Sequence, residues 1–173
     1  LHAVLETASA KSMFALGLNV AETLEDDVLA AGQMALGHRR TAVFSGHYSK
    51  AWVTKRGTGL WRHGIWVGPK RIETAVFDLP RGVYLMHLKY ANIDALETAN
   101  QHRVDVGNMP GRGLPGAAWK EADQTAARFY ARLAGFRDET WEVARDHAYA
   151  TISADPVRDT KENVLRAKST VFE

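Results

Sequence analysis

The stretch V83-Y-L-M-H-L-K-Y-A-N-I-D-A-L-E-T-A-N-Q-H-R-V-D-V-G107 decides how the chain is read. Its first residues alternate: Tyr84, Met86 and Leu88 on one side, Val83, Leu85, His87 and Lys89 on the other, the period of a β-strand. Asn92, or Asp94 with Glu97, then offers a helix cap, and Ile93, Leu96 and Arg103 follow on related faces of a helix expected to reach Val104. His87 is expected where strand gives way to helix. An imidazole there stands at the rim of a sheet, where α/β proteins usually place their chemistry.

Working outward, the upstream segment is β-rich. Thr41–Phe44, Ala51–Thr54, Ile65–Val67, Thr74–Phe77 and Val83–His87 are short β-branched or aromatic runs, punctuated by Gly57, Gly59, Gly64, Gly68, Pro69, Pro80 and Gly82. Asp78–Gly82 reads as a tight turn into the last strand. Before them, Leu1–Ala10 has helical spacing, and Phe14, Leu16, Leu18 and Val20 alternate as a strand buried on at least one face. Thr23 with Asp26 forms a capping pattern, with Leu24, Val28 and Leu29 on one face, so a helix closed by Gly37 is expected. The carboxylates Glu25, Asp26 and Asp27 are explained by the dipole of that helix rather than by metal binding.

Downstream, Gly107–Gly116 reads as a glycine- and proline-rich loop, either a lid or a plain connection. Ala118–Leu133 is the clearest helix, with Trp119, Ala122, Ala126, Phe129, Tyr130 and Leu133 in one stripe and Gly135 as its cap. Thr140–Tyr149 and Thr160–Val171 are further helix candidates, separated by Asp155-Pro156. The fold class is therefore α/β: a short-stranded β region at about 41–88 followed by a helical carboxyl-terminal part.

Bulk properties narrow the function. With 173 residues, 46% hydrophobic and 24% charged, the chain suits one domain with a real core and not a disordered segment. The absence of cysteine removes disulfides, thiolate zinc sites and cysteine nucleophiles, and fits a reducing, cytoplasmic setting. No apolar run approaches the length a membrane helix needs. The net charge of +2 hides an asymmetry, because His38–Lys89 holds ten Lys or Arg against two acids, Glu73 and Asp78. Such a segment suits a focused anionic ligand such as a phosphate. Solvated strand edges account for it equally well.

Four groups could carry chemistry. His63 lies in Gly59–Gly68, flanked by Trp61, Arg62 and Trp66. Glycines there let backbone approach a ligand, tryptophans stack on flat or sugar-like groups, and Arg62 could grip a phosphate with two parallel hydrogen bonds. A β-turn with tryptophans packed in a core explains the same residues. His87 is a candidate metal ligand or a satisfied structural histidine. His47, Tyr48, Ser49 and Lys50 form a polar cluster in which Lys50 could reach a diphosphate or simply face solvent. Lys89 follows His87 in alternation. No HExxH pair, P-loop, GxGxxG or nucleophile elbow occurs, so any metal held here needs carboxylates from elsewhere.

Three segments together resemble the carboxyl-terminal half of bacterial family 2 glycosyltransferases: HYSKAWVTKRG (47–57), LWRHGIWVGPKRI (60–72) and RGVYLMHLKYANIDALETANQHR (81–103). The resemblance runs through about Leu1–Ala134 and is specific around His63 and Leu85–Tyr90. It implies a partial GT-A-type domain, with 1–107 its α/β part and 108–173 a helical extension, lacking the amino-terminal nucleotide-binding half. It also implies transfer of a sugar from a nucleotide-sugar donor to a glycan or other hydroxyl acceptor, assisted by a divalent ion, Mn or Mg. His63 or His87 would be the later histidine of the metal shell, while Lys50, Arg62, Trp61, Trp66 and Lys89 would lie along the diphosphate and substrate. The family's Asp-x-Asp has no counterpart here, because Asp26-Asp27, Asp123 and Asp138-Glu139 are differently spaced, and no residue is nominated as catalytic base. Two other classes compete. A nucleic-acid-binding module would use the basic, Trp-rich segment 48–71, although a nearly neutral chain speaks against it. A non-catalytic scaffold would dock its Trp119–Leu133 stripe on a partner.

Overall fold

Ten consecutive residues, Ser12–Ala21, form a strand, β1, and every one of them is buried. The cause is its position. The computed structural model places β1 between β2 (Thr41–Thr54) and β5 (Tyr84–Tyr90) in a three-stranded sheet of order β2-β1-β5. The structure describes residues 1–55, 57–61, 64–110, 117–135, 140–154 and 157–166. In chain order its elements are α1 (His2–Thr7), β1, β2, β3 (Leu60–Trp61), β4 (Gly64–Trp66), β5, α2 (Ile93–Asn108), α3 (Ala117–Lys120), α4 (Ala122–Leu133), α5 (Trp141–Ala154), β6 (Val157–Asp159) and β7 (Val164–Arg166). The protein is thus a mixed α/β chain. Among the described residues no helix is long and apolar enough to cross a membrane.

Strand directions follow from paired positions. Lys55 N–H donates to Lys11 C=O, while Gly17 lies against Tyr48 and Ser49, so β2 recedes as β1 advances and the pair is antiparallel. Asn19 meets His87 and Glu22 N–H donates to Tyr90 C=O, so β5 advances with β1 and the pair is parallel. A parallel pair needs a long crossover. Here the intervening chain holds β2, β3 and β4, and the last two join β7 and β6, which follow β5 in the chain, in a second sheet of order β3-β4-β7-β6, in which Ile65 pairs with Leu165 and Asp159 with Val164.

The chain divides into two compact units, Leu1–Asn19 with Val43–His87 and Glu139–Phe172, and Val20–Ala42 with Leu88–Asp138. The first is built on Phe14, Leu16 and Leu18 of β1, Phe44 of β2, Ile65 and Leu165 of the second sheet, and Ala148, Tyr149 and Ile152 of α5. Full burial of aliphatic side chains such as Leu16, Ile152 and Leu165 contributes roughly 1.5–3 kcal/mol each. The Tyr149 hydroxyl donates to Pro80 C=O (3.1 Å) and accepts from Gly82 N–H (3.2 Å). That contact anchors the expected Asp78–Gly82 turn, whose Gly82 has a φ of +81°. Burial pushes the Tyr149 hydroxyl from 10 up to about 12. Above pH 10 the unfolded chain releases this proton while the folded chain keeps it. The contribution to stability is therefore intact below pH 10 and falls as pH rises toward about 12. Thermal unfolding followed across that window should show a declining melting temperature, and Tyr149→Phe should flatten the decline.

The second unit is held by stacked rings and one buried ion pair. Tyr90 stacks on Phe129 with centroids 3.7 Å apart, Tyr130 donates to Tyr90 C=O (3.1 Å), and Ala21, Leu96 and Ala126 complete the cluster. Asn92 caps α2 by accepting from Ala95 N–H (2.8 Å), the first of the expected caps. Arg39, its side chain fully buried, brings Nη2 to 3.0 Å from Glu22 Oε2, an ionic contact not aligned as a hydrogen bond. Its Nε and Nη1 donate to the Ala91 and Asp27 carbonyls (2.7 and 2.8 Å). Glu22 Oε2 also accepts from Ile93 N–H (2.8 Å), so one acid–base pair fastens residues 22–39 to the start of α2.

Several expected elements take other forms. Thr23–Gly37 is not an α-helix, and only Ala35–Gly37 makes a short 3-10 turn. Thr23 does donate to Asp26 (2.7 Å), but the capping pattern closes a lone turn, because Leu24 and Val28 find nothing to pack against and stay exposed. Thr41–Phe44 and Ala51–Thr54 are the ends of one strand, β2. Thr74–Phe77 forms no strand; only Asp78 pairs with Met13, in a parallel bridge. The strand through His87 continues to Tyr90, because Tyr90 is drawn into the Phe129 stack. Gly107 belongs to α2, which ends at Asn108 rather than Val104, and residues 111–116 of the expected loop lie outside the described residues. The expected Ala118–Leu133 helix is interrupted at Glu121, and in the expected Thr160–Val171 helix Val164–Arg166 instead form β7, since Val164 and Leu165 are taken up by sheet pairing, while residues 167–171 lie outside the described residues.

Candidate functional site

Ser49 Oγ donates to Ser45 C=O and accepts from Gly17 N–H, both at 2.9 Å. In an extended strand Cα atoms four residues apart are about 13 Å apart, beyond a serine's reach. β2 therefore bulges over Gly46–Tyr48, and the Ser49 hydroxyl replaces the interrupted ladder contact. The bulge rests on Gly17, where any Cβ would overlap the Tyr48 backbone and lie 2.6 Å from Ser49 N. The lack of a side chain at Gly17 admits this backbone.

The bulge re-aims a polar cluster. Tyr48 stacks on His87 of β5 with centroids 3.9 Å apart and rings 20° from parallel. Since β1 separates their strands, about 9.5 Å of backbone spacing is bridged by the two side chains. His47 meets the edge of Tyr48 at 5.0 Å, and Lys50 Nζ lies 5.5 Å from the Tyr48 ring centroid. Asn19, buried in β1, sets its Oδ1 2.9 Å from His87 Nδ1. With the amide oxygen as acceptor, the imidazole carries its proton on Nδ1, and Nε2 is the basic nitrogen. A ring fixed on its edge by Asn19 and on its face by Tyr48 can accept a proton at Nε2, ligate a metal or, once protonated, donate to an anionic oxygen. Lys50 adds positive charge to the cluster.

The other sequence-predicted residues are distributed differently. His87 is three residues inside β5 rather than at its end. Lys89 belongs to the second unit, with Nζ 5.1 Å from the Tyr90 ring centroid. Burial first, then the Arg103 guanidinium, lowers its pKa from the ordinary lysine value. Trp61 and Trp66 stand on β3 and β4 in the second sheet, 49% and 41% exposed, and the expectation of a tryptophan-filled core fails there. Arg62 and His63 lie outside the described residues. Among the described residues no three His, Asp or Glu side chains converge, so these residues do not by themselves fit a divalent ion.

Sequence reasoning passed over Gly17 and Asn19. The signal was present in F14-A-L-G-L-N-V20, where a glycine and an asparagine interrupt an otherwise apolar strand. An amide in such a strand must find a partner. Comparison of the chain with protein-family models, with curated proteins and with solved structures finds no match.

Proposed function

We propose that the chain is part of a glycosyltransferase that moves a sugar from a nucleotide-sugar donor to a hydroxyl acceptor, and that its His87 cluster faces the donor's diphosphate. The observation that carries this reading is the fixed imidazole of His87, held by Asn19 and stacked on Tyr48, beside the ammonium of Lys50. The Lys50 ammonium and, once the ring is protonated, the oriented Nε2–H of His87 suit the charge that develops on a departing diphosphate. The finer assignment, a GT-A-type domain of family 2, rests on the three sequence segments that resemble that family. In this reading a manganese or magnesium ion would draw its carboxylates from elsewhere, and His87 would offer it Nε2, unprotonated, in place of donating to the diphosphate.

Titration calorimetry with UDP and with GDP, with and without manganese, on a longer chain that includes the amino-terminal nucleotide-binding half this reading calls for, tests the proposal. Nucleotide binding is expected, weakened about tenfold in His87→Ala and in Lys50→Ala, the loss of one charge-assisted hydrogen bond each. Asn19→Leu should act in the same direction by freeing the ring. If neither nucleotide binds under any metal condition, or if both alanine variants bind as tightly as the parent chain, the reading fails.

The exposed indoles of Trp61 and Trp66 favour a second reading, a single-strand nucleic-acid module. Its mark would be an affinity for a single-stranded oligonucleotide that drops steeply with salt.

A further inference from the structure

The first unit also holds a cavity of about 720 Å³ that none of His47, Tyr48, Lys50 or His87 lines. Its wall includes Lys11, Ser12, Thr58, Trp66, Arg71 and Thr74. The local folding explains this set. β4 alternates, so Ile65 is buried while Trp66 turns outward and keeps 41% of its surface exposed. The chain then makes a short 3-10 turn, Pro69–Arg71, which sets Arg71 on the rim. Lys11 comes from the residue before β1. Among the described residues no carboxylate is part of the wall. Asp78, which reaches this region, is committed to Ala10 N–H (2.6 Å) and the Ser9 hydroxyl (3.2 Å).

We infer that this cavity binds a saccharide bearing an anionic group, a carboxylate or a phosphate. Each part of the wall matches one part of such a ligand. The indole of Trp66 offers a flat apolar face of the kind that covers the C–H face of a pyranose. Arg71 can take a carboxylate or phosphate through two parallel hydrogen bonds, and Lys11 adds a second positive charge. The hydroxyls of Ser12, Thr58 and Thr74 both donate and accept, as sugar hydroxyls do. The volume falls within the usual range for small-molecule sites, roughly 300–1,000 Å³. The inference concerns binding alone and does not require the transfer reaction, so the two readings can fail separately.

Calorimetric titration of the whole chain with glucose 6-phosphate, glucuronate, glucose, inorganic phosphate and UMP is the test. At least one charged sugar should bind about tenfold or more tightly than both glucose and inorganic phosphate, the worth of one charge-assisted hydrogen bond added to the stacked ring. Arg71→Glu should abolish that binding and Trp66→Ala should weaken it about tenfold, a stacked ring's share. Arg71 and Trp66 are both exposed, and circular dichroism checks that each variant folds. If Trp66→Ala does not fold, Arg71→Glu decides the matter. The inference is overturned if neither charged sugar gives a saturable response, or if neither outbinds inorganic phosphate, which marks an anion patch only. It is also overturned if UMP outbinds both charged sugars or if Arg71→Glu leaves their affinity unchanged.

Discussion

Gly17→Ala is expected to destabilise the protein by about 3 kcal/mol, the upper end of overpacking costs. The added methyl would enter the backbone of Tyr48 and come within 2.6 Å of Ser49 N. No rotamer relieves that overlap, because the obstacle is main chain. To make room, β2 must lift off β1, which breaks the bond from Gly17 N–H to Ser49 Oγ and separates Tyr48 from His87. The variant should therefore lose the His87 cluster along with stability. Urea unfolding measures the first effect, and the nucleotide titration measures the second. Gly37→Ala is the matched control, because a Cβ there meets nothing within 4 Å and the φ of Gly37 is not positive. A Gly17→Ala midpoint equal to that of the control would refute the close approach of the two strands.

Arg39→Ala should cost about 3–5 kcal/mol, the usual effect of breaking a buried ion pair from one side. Its guanidinium serves Glu22 and the carbonyls of Ala91 and Asp27, and its side chain has no exposed surface. Removing it leaves a carboxylate that is only 12% exposed without its counter-charge, and the Ala91 and Asp27 carbonyls without the guanidinium donor. Against a total stability of roughly 5–15 kcal/mol this is a large share. Glu22→Gln should cost less, since an amide oxygen can still accept from Ile93 N–H. The double variant should be milder than the sum of the two single losses, because neither half is then buried alone. Additive losses in urea unfolding would mean that the pair is not coupled.

What the sequence disclosed follows periodicity. Phe14, Leu16, Leu18 and Val20 predict a strand, Val83–His87 another, and Asn92, or Asp94 with Glu97, a cap between strand and helix, because each signal is local and each residue does what its neighbours demand. The turn at Thr23–Asp26 imitated a helix start at the level of one hydrogen bond. Exposed Leu24 and Val28 show why that was not enough: a cap stabilises a helix only if its apolar face is taken up. Val164–Arg166 went the other way, claimed by pairing with β4, a segment about 100 residues earlier. The site was legible in part. The residue pattern marks His87 and Lys50 and sets Tyr48 in the polar cluster beside Lys50. Their convergence depends on a bulge in one strand seated on a glycine in another, a relation between residues 17 and 48 that no window of sequence contains.

The order β2-β1-β5 has a consequence for how the protein is made. β1 is the middle strand, yet ribosomes deliver it first, and its parallel partner ends at Tyr90, roughly 70 residues later. At synthesis rates of roughly 5–20 residues per second, that leaves a largely apolar edge waiting for some 4–14 s. β2 emerges earlier and can shield one side through an antiparallel hairpin. The other side, the edge that β5 will occupy, is open throughout, with S12-M-F-A-L-G-L-N-V-A21 free to pair with a neighbouring nascent chain. The interval before Tyr90 is translated is thus the stage at which this chain has most need of a chaperone.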